Sequence, residues 1–231
     1  MIDGVVFDKD GTLFDFRKSW GGWAEAFLNA TGRDEAHAAT LGRSIGYDLG
    51  ARAFEPDSPV IAGTAADIAE ALLPHLPGQT YAQVMQAVND AAARAEMAEA
   101  VPLRPFLAAL KARGLKIGLA TNDTEVPARA HLAAHGITEF FDFVAGYDSG
   151  HGPKPGPGMC AAFARAHGLD PARVVMVGDS LHDLEAGRRA GMRTVAVLTG
   201  VAGADELAPH ADVVLCDIGA LPAWLDGLAA A

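Results

Sequence analysis

The stretch Ile2-Asp3-Gly4-Val5-Val6-Phe7-Asp8-Lys9-Asp10-Gly11-Thr12-Leu13 decides the fold. Its apolar, β-branched run Val5-Val6-Phe7 ends abruptly in two aspartates separated by one residue. Gly11 and Thr12 then turn the chain away. Such a run followed by polar residues and a glycine reads as the carboxyl end of a buried strand opening into a loop. In α/β sheets, ligands bind at that end. Two carboxylates held together there invite a cation, or divide into acid and base roles. A bare D-x-D-G favours an acidic turn after an edge strand, and it is the rest of the chain that reverses this.

Outward from that stretch, the sequence splits into two characters. From residue 16 to 99 it is alanine-rich and helical in period. Trp20, Trp23, Phe27 and Leu28 mark a first helix, and a second runs from about Asp34 towards Leu49. Thr64 and Thr80 are placed to cap two more, the last reaching about Ala98. No strand is expected in this segment. From Pro102 onwards helices alternate with short apolar runs, at Leu115–Ala120, Phe141–Ala145, Val174–Val177, Thr194–Leu198 and Asp212–Leu215. That alternation implies a doubly wound parallel α/β sheet with a Rossmann-like core. The division expected is a catalytic core formed by 1–15 and 100–231, with an inserted all-helical cap at 16–99.

Four polar signals follow the strand-like runs. They are Asp8-x-Asp10-Gly11-Thr12, Thr121-Asn122, Lys154 in His151-Gly152-Pro153-Lys154-Pro155, and Gly178-Asp179-Ser180-Leu181-His182-Asp183. Singly, each has a bland reading: a helix cap, a solvated lysine, or two acids on one exposed helix face. A parallel sheet, however, gathers such ends on one side. Asp8, Asp10, Asp179 and Asp183 near one point repel, by up to ~4 kcal/mol per pair at an effective dielectric near 20. A hard divalent cation relieves that, and Mg²⁺ accepts carboxylates together with phosphate oxygens. Lys154 adds a positive charge and Thr121 a hydroxyl, completing a receptor for a tetrahedral dianion, which means phosphate.

Bulk properties narrow the partners. The 231 residues are half hydrophobic, enough for one large domain or a core with an insert. With 18 Lys and Arg against 29 Asp and Glu, the net charge is −11 and no basic stripe for nucleic acid is visible. No apolar run approaches the ~18 residues of a membrane span. No basic segment leads into a long apolar stretch at the start, so a cytoplasmic location is the expectation. Cys160 and Cys216 follow no metal-type spacing and are expected to behave as small core hydrophobes.

The four motifs resemble those of the haloacid dehalogenase superfamily, in the phosphoglycolate-phosphatase-like branch that carries a helical cap after the first motif. The most specific pair is Phe7-Asp8-Lys9-Asp10-Gly11-Thr12-Leu13 with Gly178-Asp179-Ser180-x-x-Asp183. The resemblance spans residues 1 to about 200. It implies that Asp8 attacks phosphorus to form an aspartyl-phosphate, and that Asp10 protonates the leaving alcohol and then activates water. It implies that Thr121 and Lys154 hold the transferred phosphoryl oxygens, with Gly11 and Thr12 positioning the first loop. Mg²⁺ would be bound by the Asp8 carboxylate, the Asp10 carbonyl and Asp179, with Asp183 direct or through water. The aspartate at position 10 favours phosphatase or phosphomutase over dehalogenase within the family. Relatives often carry an acidic residue where this chain has Gly158, a difference expected to alter loop support.

Substrate choice is expected to lie with the cap acting as a lid. Its cations cluster in the first half, so Arg17, Lys18, Arg43 and Arg52 are the candidate receptors for a second anionic group, as in 2-phosphoglycolate. Asn122 joins Gly11, Thr12, Thr121 and Lys154 as a candidate substrate contact. The favoured reading is a Mg²⁺-dependent phosphatase acting on a small phosphorylated metabolite as a monomer or homodimer, with 2-phosphoglycolate the first substrate in view. Alternatives are a sugar-phosphate phosphatase, phosphoglucomutase-like transfer through the same motifs, and a non-catalytic binding protein on the same fold.

Overall fold

The computed structural model describes residues 1–230, with the side chains of residues 1–228. In chain order the elements begin with β1 (Gly4–Phe7), α1 (Phe16–Thr31), α2 (Glu35–Ser44), β2 (Tyr47–Asp48), β3 (Ala53–Phe54), α3 (Pro59–Ala62), α4 (Ala65–Leu72) and α5 (Tyr81–Ala92). They continue with α6 (Leu103–Ala112), β4 (Lys116–Ala120), α7 (Glu125–Ala134), β5 (Phe143–Ala145), α8 (Gly158–His167) and β6 (Val174–Gly178). The chain closes with α9 (Leu181–Arg189), β7 (Arg193–Val197), α10 (Ala204–Leu207), β8 (Val213–Leu215) and α11 (Leu221–Ala230).

Six strands form one sheet in the order β5-β4-β1-β6-β7-β8, every pair parallel. β1 sits between β4 and β6, with Phe7 level with both Leu119 and Val177. The chain builds outward to β5 and then crosses back to β6, so the strand order reverses beside β1. Such a switch point opens a crevice at the carboxyl ends of the strands. The sheet is covered on both faces, which is why its strands read as continuous apolar runs. Alternate side chains serve the two sides: Val5 and Phe7 join one core with Ile117, Leu119 and Val175, while Val6 joins another with Met176 and Phe163.

The insert is connected by two segments that hydrogen-bond to each other. Asp15 N donates to Ala98 O at 2.8 Å and Ala100 N to Leu13 O at 2.9 Å. The aromatic stripe of α1 is buried, with Trp23 stacked on Phe27 at 5.3 Å. Thr64 and Thr80 cap α4 and α5 in reciprocal capping boxes, as their positions predict.

Three expectations need correction. The insert is not all helical, because β2 and β3 form a small antiparallel hairpin. Asp48 closes its turn by accepting from the backbone N–H groups of Gly50 and Ala51, and Tyr47 packs on Phe54 at 4.7 Å. Local side-chain bonding and aromatic packing here override a composition poor in β-branched residues. α5 stops at Ala92, because the following residues turn back to reach the linker at Ala98. Cys160 is buried as expected, but Cys216 is exposed just after the short strand β8.

Candidate active site

The carboxyl ends of β1, β4 and β6 lie side by side, so the residues that follow them meet. Asp8, Thr121 and Asp179 all enter one cleft, joined by Lys154 from the loop before α8 and by Asp183 from the first turn of α9. The cleft lies between the sheet edge and the insert and holds about 60 Å³ of enclosed space.

One carboxylate oxygen from each of Asp8, Asp179 and Asp183 lies within 4.8 Å of the others, and all three side chains are buried. Lys154 Nζ bridges this group, donating to Asp8, to Asp183 at 2.6 Å and to the carbonyl of Ala120 at 2.8 Å. Burial, with the nearby charges of Asp183 and Asp10, pushes the Asp8 carboxyl up to about 7 despite the opposing ammonium. Asp179 is raised well above the usual carboxylate range by burial and by Asp183 and Asp8. Burial alone would lower the Lys154 ammonium, but Asp183 and Asp8 outweigh it and the net shift is upward. The donor set therefore holds more negative charge than Lys154 balances. Hard oxygen donors around uncompensated charge fit a divalent cation such as Mg²⁺.

The supports are local. Asp183 is the third residue of α9, where its other oxygen accepts from Ser180 N at 3.0 Å and Ser180 Oγ at 2.7 Å. One residue thus caps the helix and faces the cluster. Gly11 adopts φ +83°, and a Cβ there would stand 2.3 Å from an Asp179 oxygen, so only glycine lets the first loop close over Asp179. Thr12 Oγ1 lies 3.4 Å from the other Asp179 oxygen. Asn122 acts as a clamp: its Oδ1 accepts from Lys154 N at 2.8 Å, and its Nδ2 donates to the carbonyls of Lys154 and Ala62. It fixes the lysine loop and ties it to the insert. Thr121 is buried in the cleft, with its hydroxyl accepting from Asp123 N at 3.1 Å.

A second buried group underlies Asp10. Lys9 is fully buried and lies 3.1 Å from Asp10 Oδ2 and 2.7 Å from Asp123 Oδ2. It also meets His131 Nδ1 at 3.0 Å and sits over the Trp20 ring at 5.5 Å. An ammonium only donates, so Nδ1 of His131 is the acceptor and Nε2–H donates to Ala92 O at 2.8 Å. Burial, then Lys9, lowers His131 to about 4. Oδ1 of Asp10 is buried without a protein partner. Sequence reading treated Lys9 as a spacer and passed over Asp123 and His131. The available signal was Lys9's place at the end of a strand buried on both faces, where a side chain has no route to solvent.

The cap cations are not brought to the site. Arg17, Lys18, Arg43 and Arg52 are exposed, and none lines the cleft. Lys18 pairs with Asp15, the cap of its own helix, at 2.9 Å; Arg43 bonds Thr40 one turn earlier; Arg52 pairs with Glu25. These partners account for Lys18, Arg43 and Arg52. His182 does line the cleft, with Nδ1 on Ala62 O at 3.1 Å, whereas His151 does not. Gly158 starts α8, and a Cβ there would stand 1.9 Å from His151 O. The lysine loop packs so closely on that backbone that no side chain fits, acidic or otherwise.

A six-stranded parallel sheet with a carboxylate cluster at its switch point and a mainly helical cap over it defines a capped, doubly wound α/β protein. The family model for haloacid dehalogenase-like hydrolases matches residues 2–191, and the chain belongs to that family. It is 31% identical over 226 residues to a Dickeya dadantii protein named probable phosphatase IndB, covering 92% of this chain and 88% of the relative. It is 29% identical to the phosphoglycolate phosphatase of Neisseria meningitidis, covering 98% and 94% of the two chains. The crystal structure of CbbY from Rhodobacter sphaeroides in complex with phosphate shares the fold, with TM-score 0.71, 22% identity and 96% of each chain covered. The chain is a phosphatase.

Proposed function

We propose that this chain hydrolyses a small phosphate monoester through an aspartyl-phosphate on Asp8, with Mg²⁺ bound by Asp8, Asp179, the Asp10 carbonyl and Asp183. The observation that carries this reading is the buried triad of Asp8, Asp179 and Asp183 bridged by Lys154, beside an Asp10 oxygen without a protein partner. In the first step an Asp8 oxygen forms a bond to phosphorus while the bond to the leaving oxygen breaks, and the Asp10 carboxyl gives its proton to that oxygen. In the second, the Asp10 carboxylate takes a proton from water, which attacks phosphorus and releases Asp8. Lys154 and Thr121 hold the phosphoryl oxygens, and Lys9 holds one Asp10 oxygen so that the other faces the reacting group. Bound Mg²⁺ would keep Asp8 ionised and offset charge on the phosphoryl oxygens.

The same reading takes 1–15 and 100–231 as the catalytic core and 16–99 as a lid. It makes the protein a cytoplasmic monomer or homodimer acting on a phosphorylated metabolite. No helix among the described residues is long and apolar enough to cross a membrane. The names of several relatives make 2-phosphoglycolate the first substrate to try. The test is phosphate release from a panel of monoesters with Mg²⁺ and with EDTA, beside Asp8→Asn. Metal-dependent release lost in the variant is expected; release that survives the substitution would refute the mechanism.

A further inference from the structure

The wall facing the phosphate site is apolar and carries no cation. Trp20, Trp23, Ile61, Ile68 and Val88 dominate it, and Lys154 is the single Lys or Arg among the residues lining the cleft. Lys154's ammonium is already engaged by Asp8, Asp183 and the Ala120 carbonyl. On the core side stand five carboxylates, those of Asp8, Asp10, Asp123, Asp179 and Asp183. Five carboxylates against the ammoniums of Lys154 and, beneath Asp10 and Asp123, of Lys9 leave three negative charges, and a divalent cation still leaves one. A leaving group bearing its own carboxylate would be desolvated against indole and aliphatic side chains, unpaired, and repelled by the floor.

The indole nitrogens of Trp20 and Trp23 are buried without an acceptor in the protein. Trp23 packs edge-on against Trp20 at 5.0 Å and is stacked on Phe27, so the pair is a fixed surface. Thr64, the one hydroxyl on the cap wall, already donates to Asp67 at 2.7 Å.

We infer that the substrate's leaving group is uncharged and presents a flat apolar face, placing the enzyme with aromatic or heterocyclic phosphate monoesters rather than phosphorylated carboxylic acids. This rests on the hydrolase reading above and names the substrate class for the same site. It departs from 2-phosphoglycolate because the cap cations lie outside the cleft.

The test uses the full chain with Mg²⁺ and three probes: 2-phosphoglycolate, its primary amide, and benzyl phosphate. The amide differs from the acid in charge far more than in size. The expected kcat/KM is about 100-fold higher for the amide than for the acid, and higher again for benzyl phosphate. Ile68→Lys should narrow the amide-to-acid ratio at least about tenfold, by giving the carboxylate a partner. Trp23→Ala should lower the benzyl phosphate-to-amide ratio about tenfold. Equal or faster turnover of 2-phosphoglycolate by the unmodified chain overturns this inference and leaves the hydrolase reading intact. No phosphate release from any of the three overturns both. Because the decisive ratio is measured on the unmodified chain, misfolding of either variant does not remove the test.

Discussion

Lys9 Nζ and Asp123 Oδ2 are 2.7 Å apart, the lysine fully buried and the aspartate lining the floor of the cleft. The pair joins the first strand end to the second, because Asp123 lies two residues after Thr121 and Lys9 stands between the two motif aspartates. Removing one partner of a buried pair leaves the other charge uncompensated, typically costing about 3–5 kcal/mol. Lys9→Met should therefore destabilise the fold by that order in urea unfolding. It should also lower kcat more than it raises KM, because Asp10 loses the group that orients it.

Lys154 is expected to be far less dispensable for turnover than for folding. With Lys154→Met, Asp8 and Asp183 face each other without the ammonium, and the transferred phosphoryl group loses its cation. A fall in kcat of about 100-fold or more is expected in steady-state assays. Lys154→Arg should not restore it, because a planar guanidinium cannot take the place of a compact ammonium already touching three acceptors.

Metal should act on stability as well as on rate. Asp8 and Asp179 are raised by burial and by neighbouring carboxylates, so without metal the folded chain binds more protons than the unfolded one. These groups make the metal-free protein lose stability as pH rises from the ordinary aspartate value through about 7. Millimolar Mg²⁺ at pH 8 should raise Tm by several degrees, and Asp179→Asn should abolish that rise. Differential scanning with and without EDTA reads both.

His131 has the opposite sign. Its imidazole is held neutral by burial and by Lys9, lowered from 6.5 to about 4. The unfolded chain therefore binds the extra proton between those values. The contribution is present in full above about 6.5 and is lost as pH falls through about 4, amounting to about 3 kcal/mol. With Mg²⁺ saturating, the unfolding free energy of the intact chain should fall over this range more steeply than that of His131→Asn. Parallel slopes would contradict the tautomer and contacts described.

Gly158 offers a test of packing rather than chemistry. Restoring an acidic side chain with Gly158→Glu forces a Cβ into the His151 carbonyl, 1.9 Å away. The lysine loop would have to move, so lower kcat and a loss of about 2 kcal/mol or more in stability are expected.

What was legible in the sequence followed from regular physics. β1 and β6 announced themselves because strands covered on both faces are continuously apolar and then stop at polar residues. The convergence of Asp8, Thr121, Lys154, Asp179 and Asp183 followed from parallel topology alone. The hairpin at Tyr47–Phe54 was hidden because an Asx turn and one aromatic contact, not propensity, hold it. Lys9 was hidden because a buried lysine is stabilised by Asp123 and His131, both more than a hundred residues away. The cap cations misled for a related reason: charge counting along the chain cannot see that Asp15, Thr40 and Glu25 occupy Lys18, Arg43 and Arg52.

The central claim is that Asp8 carries the phosphoryl group between the two steps. Acid quenching during turnover of a competent monoester, followed by peptide mass analysis, measures this directly. The account predicts a phosphoryl adduct on the Asp8 peptide, present with Mg²⁺ and absent with EDTA or in Asp8→Asn. Full turnover with no adduct on that peptide, together with activity retained in Asp8→Asn, would contradict it.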